Sequence, residues 1–517
     1  MRLITISNLY PRPDKPIMGM FNFQMFREME RILRSQESGV WIQNKAEEET
    51  RRYLNICLVP SWKIWQWPAI RHWKMPAPAA QLSVNGYPLS GNTANNKEPI
   101  TNNSINSANG TVYVPIFYLP FIGRSINWWF YYRALRDRVI GYEISVIGNT
   151  NNKELLTNNS EDGASCAILA SWLYPDAVAG ARLARELGLP VWLRVHGTDR
   201  YHMNNPHRRK LILDAVTYAR GVICNCRAVA DDLAKYGIPG DKIHIVPNGV
   251  DTSLFRWRSR KDLLSSQVVE LLRGQEHRGN GLNNFTTEQL SNSQLILFIG
   301  NLVPIKGPDV LLRAFAALGT PAESVAGCHV AELPPSAHEK VIRCSVAKLL
   351  SEETSDTSST TQQPNNSTTS RNNSTTVLLI IGSGPMMAQL KRMTKDLGIA
   401  DRVHFLGSLP HDKVALWMNR ADVLCSTSRS EGMPNVVVEA VASGLPVVAT
   451  AVGGTPEVLT GEPTARVCQS EDVCAIAAAL KEVLGMSVDR PALAARFAHY
   501  YSWNRQAAEL LRLMSAS

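Results

Sequence analysis

Two glutamates stand eight positions apart across what reads as a loop-to-helix junction, Ser430-Glu431-Gly432-Met433-Pro434-Asn435-Val436-Val437-Val438-Glu439. The helix is expected to start near Pro434, because proline suits a first helical turn. Glu431, in the loop, can accept hydrogen bonds from sugar hydroxyls. Glu439, a turn or so into the helix, can hold both hydroxyls of a ribose. Between them the helix N-terminus offers free N–H groups and partial positive charge, which suit a phosphate. Together these are the needs of a nucleotide sugar. The plainer reading makes Glu439 an ordinary helix charge. Against it, the residue sits among Val436, Val437, Val438, Ala440 and Val441, where an unpaired buried carboxylate is costly.

Four other loops carry candidate chemistry. In Gly300–Gly307, GNLVPIKG, Lys306 precedes a helix and can meet a diphosphate, or it is a solvated lysine in a tight turn. The segment is not a P-loop, since GxxxxGK[ST] is missing. His196, in HGTD after the strand VWLRV, can hydrogen-bond a sugar hydroxyl or stabilise charge at a reacting carbon. It can equally cap the strand, with Asp199 as the N-cap of the next helix. Gly19, before a helix starting at Met20, allows close approach of an anion or is simply a turn glycine. Gly382, in GSGP, allows backbone to approach a ligand or a neighbouring loop.

These loops share one position: each follows a strand. Short apolar runs alternate with amphipathic helices along the chain. The runs include Arg2–Ser7, Ala167–Ser171, Val191–His196, Gly221–Asn225 and Ile243–Val246, then Leu295–Gly300, Val377–Gly382, Val403–Gly407, Asp422–Ser426 and Pro446–Thr450. Helices are expected over Asp309–Ala317, Met386–Leu397, Lys413–Asn419 and Asn435–Ser443. Apolar strands alternating with helices predict parallel sheets covered on both faces. Two such series predict an α/β protein of two doubly wound, Rossmann-like domains joined near Asn248–Phe255. Ligands in such folds sit beyond the carboxyl ends of the strands.

The chain of 517 residues, 44% hydrophobic and 19% charged, is ample for two cores. A net charge of +9 favours anionic partners without choosing among them. The basic residues are dispersed and base-reading motifs are missing, which argues against nucleic acid. Four polar segments, Asn85–Gly110, Gly148–Gly163, Lys261–Ser293 and Ser351–Thr376, read as surface insertions, since they cannot bury enough apolar area to order themselves. The first two are near-copies. Nine scattered cysteines form no CxxC pair and suggest a reducing cytoplasm. Cys224 and Cys226 read as buried residues on a strand. The N-terminus lacks the apolar core of a signal peptide, and no run of about 18 apolar residues predicts a spanning helix.

The second half resembles the retaining family-four glycosyltransferases of the GT-B fold. Their hallmark, a glutamate, seven residues and another glutamate, is met by Glu431 and Glu439 within EGMPNVVVEAVASGLPVVATAVGGTPEV. KIHIVPNGVDTSLF, LFIGNLVPIKGPDVLLRAF, LLIIGSGPM and RVHFLGSLPH follow the family's order, and SNLYP, GMFNFQMFREM and VWLRVHGTD fit the first half more loosely. The resemblance implies an acceptor-side domain over 1–250, a nucleotide-sugar domain over 251–490 with insertions near 261–293 and 320–376, and a last helix over 491–517 packed back on the first domain. It implies that Glu439 binds the donor ribose and Glu431 the donor sugar or its phosphate. Gly432, Met433, Pro434 and Asn435 would line sugar and diphosphate, Lys306 would neutralise the diphosphate, and Gly382 would belong to the donor site. His196 would lie near the donor sugar, Gly19 near phosphates or acceptor, and Ser408 and Leu409 at the base. The family often has arginine where Asn301 stands, so one phosphate contact is replaced.

The implied reaction is transfer of a hexose-type sugar, with retention, from a nucleotide-diphosphate sugar to a glycan or lipid-linked acceptor, in cell-surface polysaccharide or glycolipid synthesis. The donor is a co-substrate and no cofactor is implied. Without a DxD motif a metal is not required. Two other readings remain: a binding protein that has lost catalysis, and an epimerase of the same fold. The tryptophan-rich segment Ser61–Met75, and NWWFYYRALRDR from Asn127, read either as aromatic core or as a peripheral contact with the inner face of a membrane.

Overall fold

The computed structural model describes residues 2–7, 20–35, 53–61, 111–117, 126–147, 166–259, 293–318 and 376–515. Most of each polar insertion, Gly19 and residues 62–75 lie outside the described residues. The first series of strands is β1 (Arg2–Ser7), β2 (Tyr53–Ser61), β3 (Thr111–Phe117), β4 (Cys166–Ser171), β5 (Val191–Val195), β6 (Gly221–Cys224) and β7 (Ile243–Ile245). They form one seven-stranded parallel sheet in the order β3-β2-β1-β4-β5-β6-β7. Helices α1 (Met20–Ser35), α2 (Asn127–Ile147), α3 (Val178–Leu187), α4 (Pro206–Tyr218) and α5 (Arg227–Lys235) accompany it.

The second series is β8 (Gln294–Ile299), β9 (Thr376–Ile381), β10 (Val403–Gly407), β11 (Val423–Ser426), β12 (Val447–Thr450) and β13 (Ala465–Cys468). Its six-stranded parallel sheet runs β10-β9-β8-β11-β12-β13. Its helices are α6 (Pro308–Ala317), α7 (Met387–Asp396), α8 (His411–Arg420), α9 (Asn435–Ala442), α10 (Thr455–Leu459), α11 (Val473–Leu484) and α12 (Arg490–Tyr501). In both sheets the order reverses beside the first strand, between β1 and β4 and between β8 and β11. Such a reversal splays the flanking loops and opens a crevice at the carboxyl ends of the strands.

Composition explains the layering. The interiors of QLILFI, TVLLII and VVAT are buried. A strand that is apolar on both faces needs helices above and below it, and the crossovers supply them. Two starts differ slightly from the sequence reading. Pro434 is the residue before α9, not its first turn. Cys226 is off the strand, at the N-cap of α5.

The chain passes between the two sheets twice, side by side. After β7 it crosses through Asn248–Phe255. After α12 it returns through Ser502 into α13 (Trp503–Ser515). Val250 N–H donates to Tyr501 O (2.6 Å) and Trp503 N–H donates to Val250 O (3.3 Å). α13 then lies on α1, its Trp503, Leu510, Leu511 and Met514 joined to Met25, Phe26 and Met29 in one apolar cluster. This face of α1 would otherwise be open to water. Leu510→Ala, at a fully buried position, should therefore cost about 2–5 kcal/mol and lower the urea midpoint of the unfolding transition of the first sheet.

Candidate active site

The crevice between β8 and β11 gathers most of the second-half candidates. Lys306, at the end of the loop after β8, donates to Glu431 Oε1 at 2.5 Å. Ser428 Oγ donates to the same oxygen at 2.7 Å. Among the described residues Glu431 Oε2 takes no hydrogen bond, which leaves it able to accept one from a ligand. Arg429 closes the two loops together: its guanidinium donates twice to Asp309 (both 2.9 Å) and pairs with Glu471 (2.5 Å). Its N–H donates to Ile305 O, and Thr427 Oγ1 donates to Gly307 O (both 2.8 Å). Lys306 is thus held at the crevice by a loop that Arg429 and Thr427 brace.

Backbone packing sets the next two loops. A Cβ on Gly382, whose φ is +143°, would lie 1.9 Å from Gly300 O, so only glycine brings the loop after β9 this close to the loop after β8. Ser408 Oγ bonds Ser383 Oγ at 2.8 Å, and Leu409 and Pro410 continue along the same rim. Asn301 is exposed, and among the described residues its side chain makes no hydrogen bond.

Glu439 lies one turn beyond Asn435 on the same face of α9. Burial pushes its carboxyl up to about 8, and among the described residues no side chain pairs with it. Met433 and Gly432 are buried. Asn435 N–H is spent on Met433 O (3.0 Å) and those of Val437 and Val438 on Pro434 O (2.9 and 3.2 Å), so among the described residues the Val436 amide is the one of this first turn that remains for a ligand.

The first half meets this loop directly. His196 follows β5, and burial together with nearby Arg194 holds its imidazole well below the usual range. It is neutral at physiological pH, which suits hydrogen bonding to a hydroxyl better than adding charge. Its ring stacks near Trp172 with centroids 6.3 Å apart. A Cβ on Gly197 (φ +103°) would sit 2.6 Å from Gly432 Cα. Arg200 Nη1 donates to Glu431 O (3.3 Å), Tyr201 and Ser430 hydroxyls bond at 2.9 Å, and Cys226 Sγ donates to Gly432 O at 3.6 Å. Glu457 accepts from Ala228 N–H, at the start of α5, at 3.1 Å. His196, Lys306, Glu431, Gly432, Met433, Pro434, Asn435 and Glu439 therefore converge, while Gly382, Ser408, Leu409 and Asn301 form one rim.

Asp199 does something other than cap a helix. Its carboxylate, fully buried, accepts from His196 N–H (3.0 Å) and Leu173 N–H (3.1 Å). It ties the loop after β5 to the loop after β4 and so fixes where His196 stands. Burial raises its pKa to about 6 against the opposing pull of these amides. Asn248 was also unmarked by the sequence reading. Buried at the crossover, it takes a hydrogen bond from Arg194 Nη2 (3.2 Å) and donates to Asn435 Oδ1 (2.9 Å). Its place in VPNGVD between the domains was the one available signal.

Two family descriptions match this chain: Glycosyltransferase Family 4 over residues 166–254 and Glycosyl transferases group 1 over residues 366–500. Over those two stretches the chain matches the family-four glycosyltransferases. Its fold is GT-B. A D-inositol 3-phosphate glycosyltransferase of Thermomonospora curvata is 28% identical over 289 residues, 54% of this chain and 53% of that one. A GDP-mannose-dependent alpha-(1-6)-phosphatidylinositol monomannoside mannosyltransferase of Mycolicibacterium smegmatis is 33% identical over 146 residues, 26% and 38% of the two chains. The chain spans about half the length of the curated relatives it matches first. Among solved structures, Anabaena HepE in complex with UDP aligns over 100% of both chains with a TM-score of 0.56 at 15% identity. Sucrose-phosphate synthase from Thermosynechococcus elongatus aligns as fully, with a TM-score of 0.57 at 15% identity. These structural likenesses speak to fold.

The raised carboxyl of Glu439 gives this family-four site a pH signature. Folded, the group keeps its proton up to about 8; unfolded, it loses it near 4.5. Its contribution to stability is complete below the lower value and declines as pH rises towards the upper one. Glu439→Gln should remove that decline. Thermal melts across this window should show wild type losing ground to the variant as pH rises; parallel curves would refute the assignment.

Proposed function

We propose that the protein is a glycosyltransferase that takes a sugar from a nucleotide-diphosphate donor. One observation carries the reading: Lys306 and Glu431 sit at the switch point of the second sheet, beside the first turn of α9 with Glu439 behind it, and His196 stands at the same loop from the other sheet. A cation and a helix N-terminus suit a departing diphosphate, since both stabilise charge as it develops. A protonated Glu439 can donate to one ribose hydroxyl and accept from the other. Glu431 Oε2 can accept from a sugar hydroxyl. Relatives whose names mention UDP or GDP-mannose support the donor class.

Transfer with retention of configuration is the accompanying proposal. Lys306 and Ser428 both bond Glu431 Oε1 and draw on the carboxylate's charge, which argues against its serving as a covalent nucleophile and leaves Oε2 for a sugar hydroxyl. The acceptor would then attack from the leaving-group face and pass its proton to the departing phosphate. The acceptor is a glycan or a lipid-linked sugar. Peripheral contact with a membrane is supported by Ile126 and Trp129, 51% and 42% exposed at the start of α2, and by Arg133 lying 5.6 Å over the Trp129 ring. Among the described residues no helix is long and apolar enough to cross a membrane. Asn301 favours a second reading, binding without turnover, because it brings no charge to the phosphates.

A panel of nucleotide sugars, followed by donor hydrolysis and by binding, tests the proposal. One donor should bind and turn over. Lys306→Ala should lower kcat by about 10²–10³-fold, and Glu439→Ala should abolish donor binding. Binding without turnover would move the binding-protein reading forward. The anomeric configuration of the product, read by NMR, decides retention.

A further inference from the structure

Arg194 is the one lysine or arginine that is fully buried among the described residues. It lies on β5, two residues before His196. Its Nη2 donates to Asn248 Oδ1, while Nε and Nη1 are buried with no hydrogen-bond partner. Among the described residues no carboxylate stands within ion-pair distance. Burial lowers its pKa only to about 10, so the charge persists at neutral pH. Stability does not account for such a group, because an apolar side chain of similar volume would do as well or better there.

Its surroundings suggest another account. Asn248 passes the contact on to Asn435, the first residue of α9. Three other cations near the crevice are already offset: Lys306 by Glu431, Arg429 by Asp309 and Glu471, and Arg200 by Asp232. A buried charge is little screened and acts over distance. We propose that Arg194 is a positioning residue for the donor's diphosphate: through Asn248 it fixes the first turn of α9, and its unbalanced charge is offset when the diphosphate binds beside that turn. This rests on the donor reading given above.

Calorimetric titration of the full chain with UDP and GDP, and with uridine and guanosine, tests it. Arg194→Met should melt no lower than wild type. It should bind the preferred nucleoside diphosphate about tenfold or more weakly, with the nucleoside little changed. Arg194→Lys should restore most of the affinity. Asn248→Asp, which sets a carboxylate against Arg194, should also weaken the diphosphate selectively, and it keeps the test alive if the methionine variant does not fold. Unchanged diphosphate binding in either variant overturns the proposal. So does an equal loss of nucleoside and diphosphate with a lower melting temperature, which marks a packing role. If wild type binds neither diphosphate, the donor reading itself fails and this proposal falls with it.

Discussion

The site depends on a contact between two backbones. Gly197, from the first sheet, and Gly432, from the second, meet where neither has room for a side chain. Everything chemically useful is arranged around that touch. His196 precedes one glycine and Glu431 the other, so the approach of the backbones brings those two side chains to one place. Asp199 holds the first loop by its amides, and Arg429 holds the second through Asp309 and Glu471. One loop is braced by a carboxylate and the other by a guanidinium, which keeps the meeting point from relaxing.

Charge is distributed around this point with economy. The lysine that would face a diphosphate is paired within its own crevice. The arginine behind the cleft floor is not. Asp199 is fully buried and Glu439 half-buried, and desolvation raises both carboxyls well above their ordinary range. The site therefore holds a neutral imidazole, a carboxyl inclined to keep its proton and a buried cation, a combination suited to an anion that carries hydroxyl groups.

Much of this was legible in the sequence because it is local. An apolar run followed by glycine and a helix marks a strand end, and strand ends are where Lys306, His196, Gly382 and Glu431 lie. Ten of the strands were legible as apolar runs, whereas β2, β3 and β13 were not among those runs, and the order of strands within each sheet is seen only in the fold. What was not legible is pairing across long separations. Asp199 looked like a helix cap because an aspartate after a strand usually is one; its second partner, Leu173, is 26 residues away. Cys226 looked like a strand residue because CxC alternates, but the strand stops at Cys224 and the second cysteine turns to Gly432. Arg194 sits in an apolar strand where its charge reads as a blemish. Only the fold shows that Asn248 and Asn435 complete a line from it. Gly19 and the segment 62–75 lie outside the described residues, and their readings stand as expectations.

The double crossing has a consequence for how the molecule can be divided. The first half is not a contiguous stretch of chain: its core includes α13, the described helix farthest from β1 in sequence. Cutting the chain at Asn248 would yield one fragment with an uncovered apolar face and another carrying a helix with nothing to cover. As a unit for recombination, the first half is a discontinuous module. Exchanging it with a relative means exchanging the final helix as well.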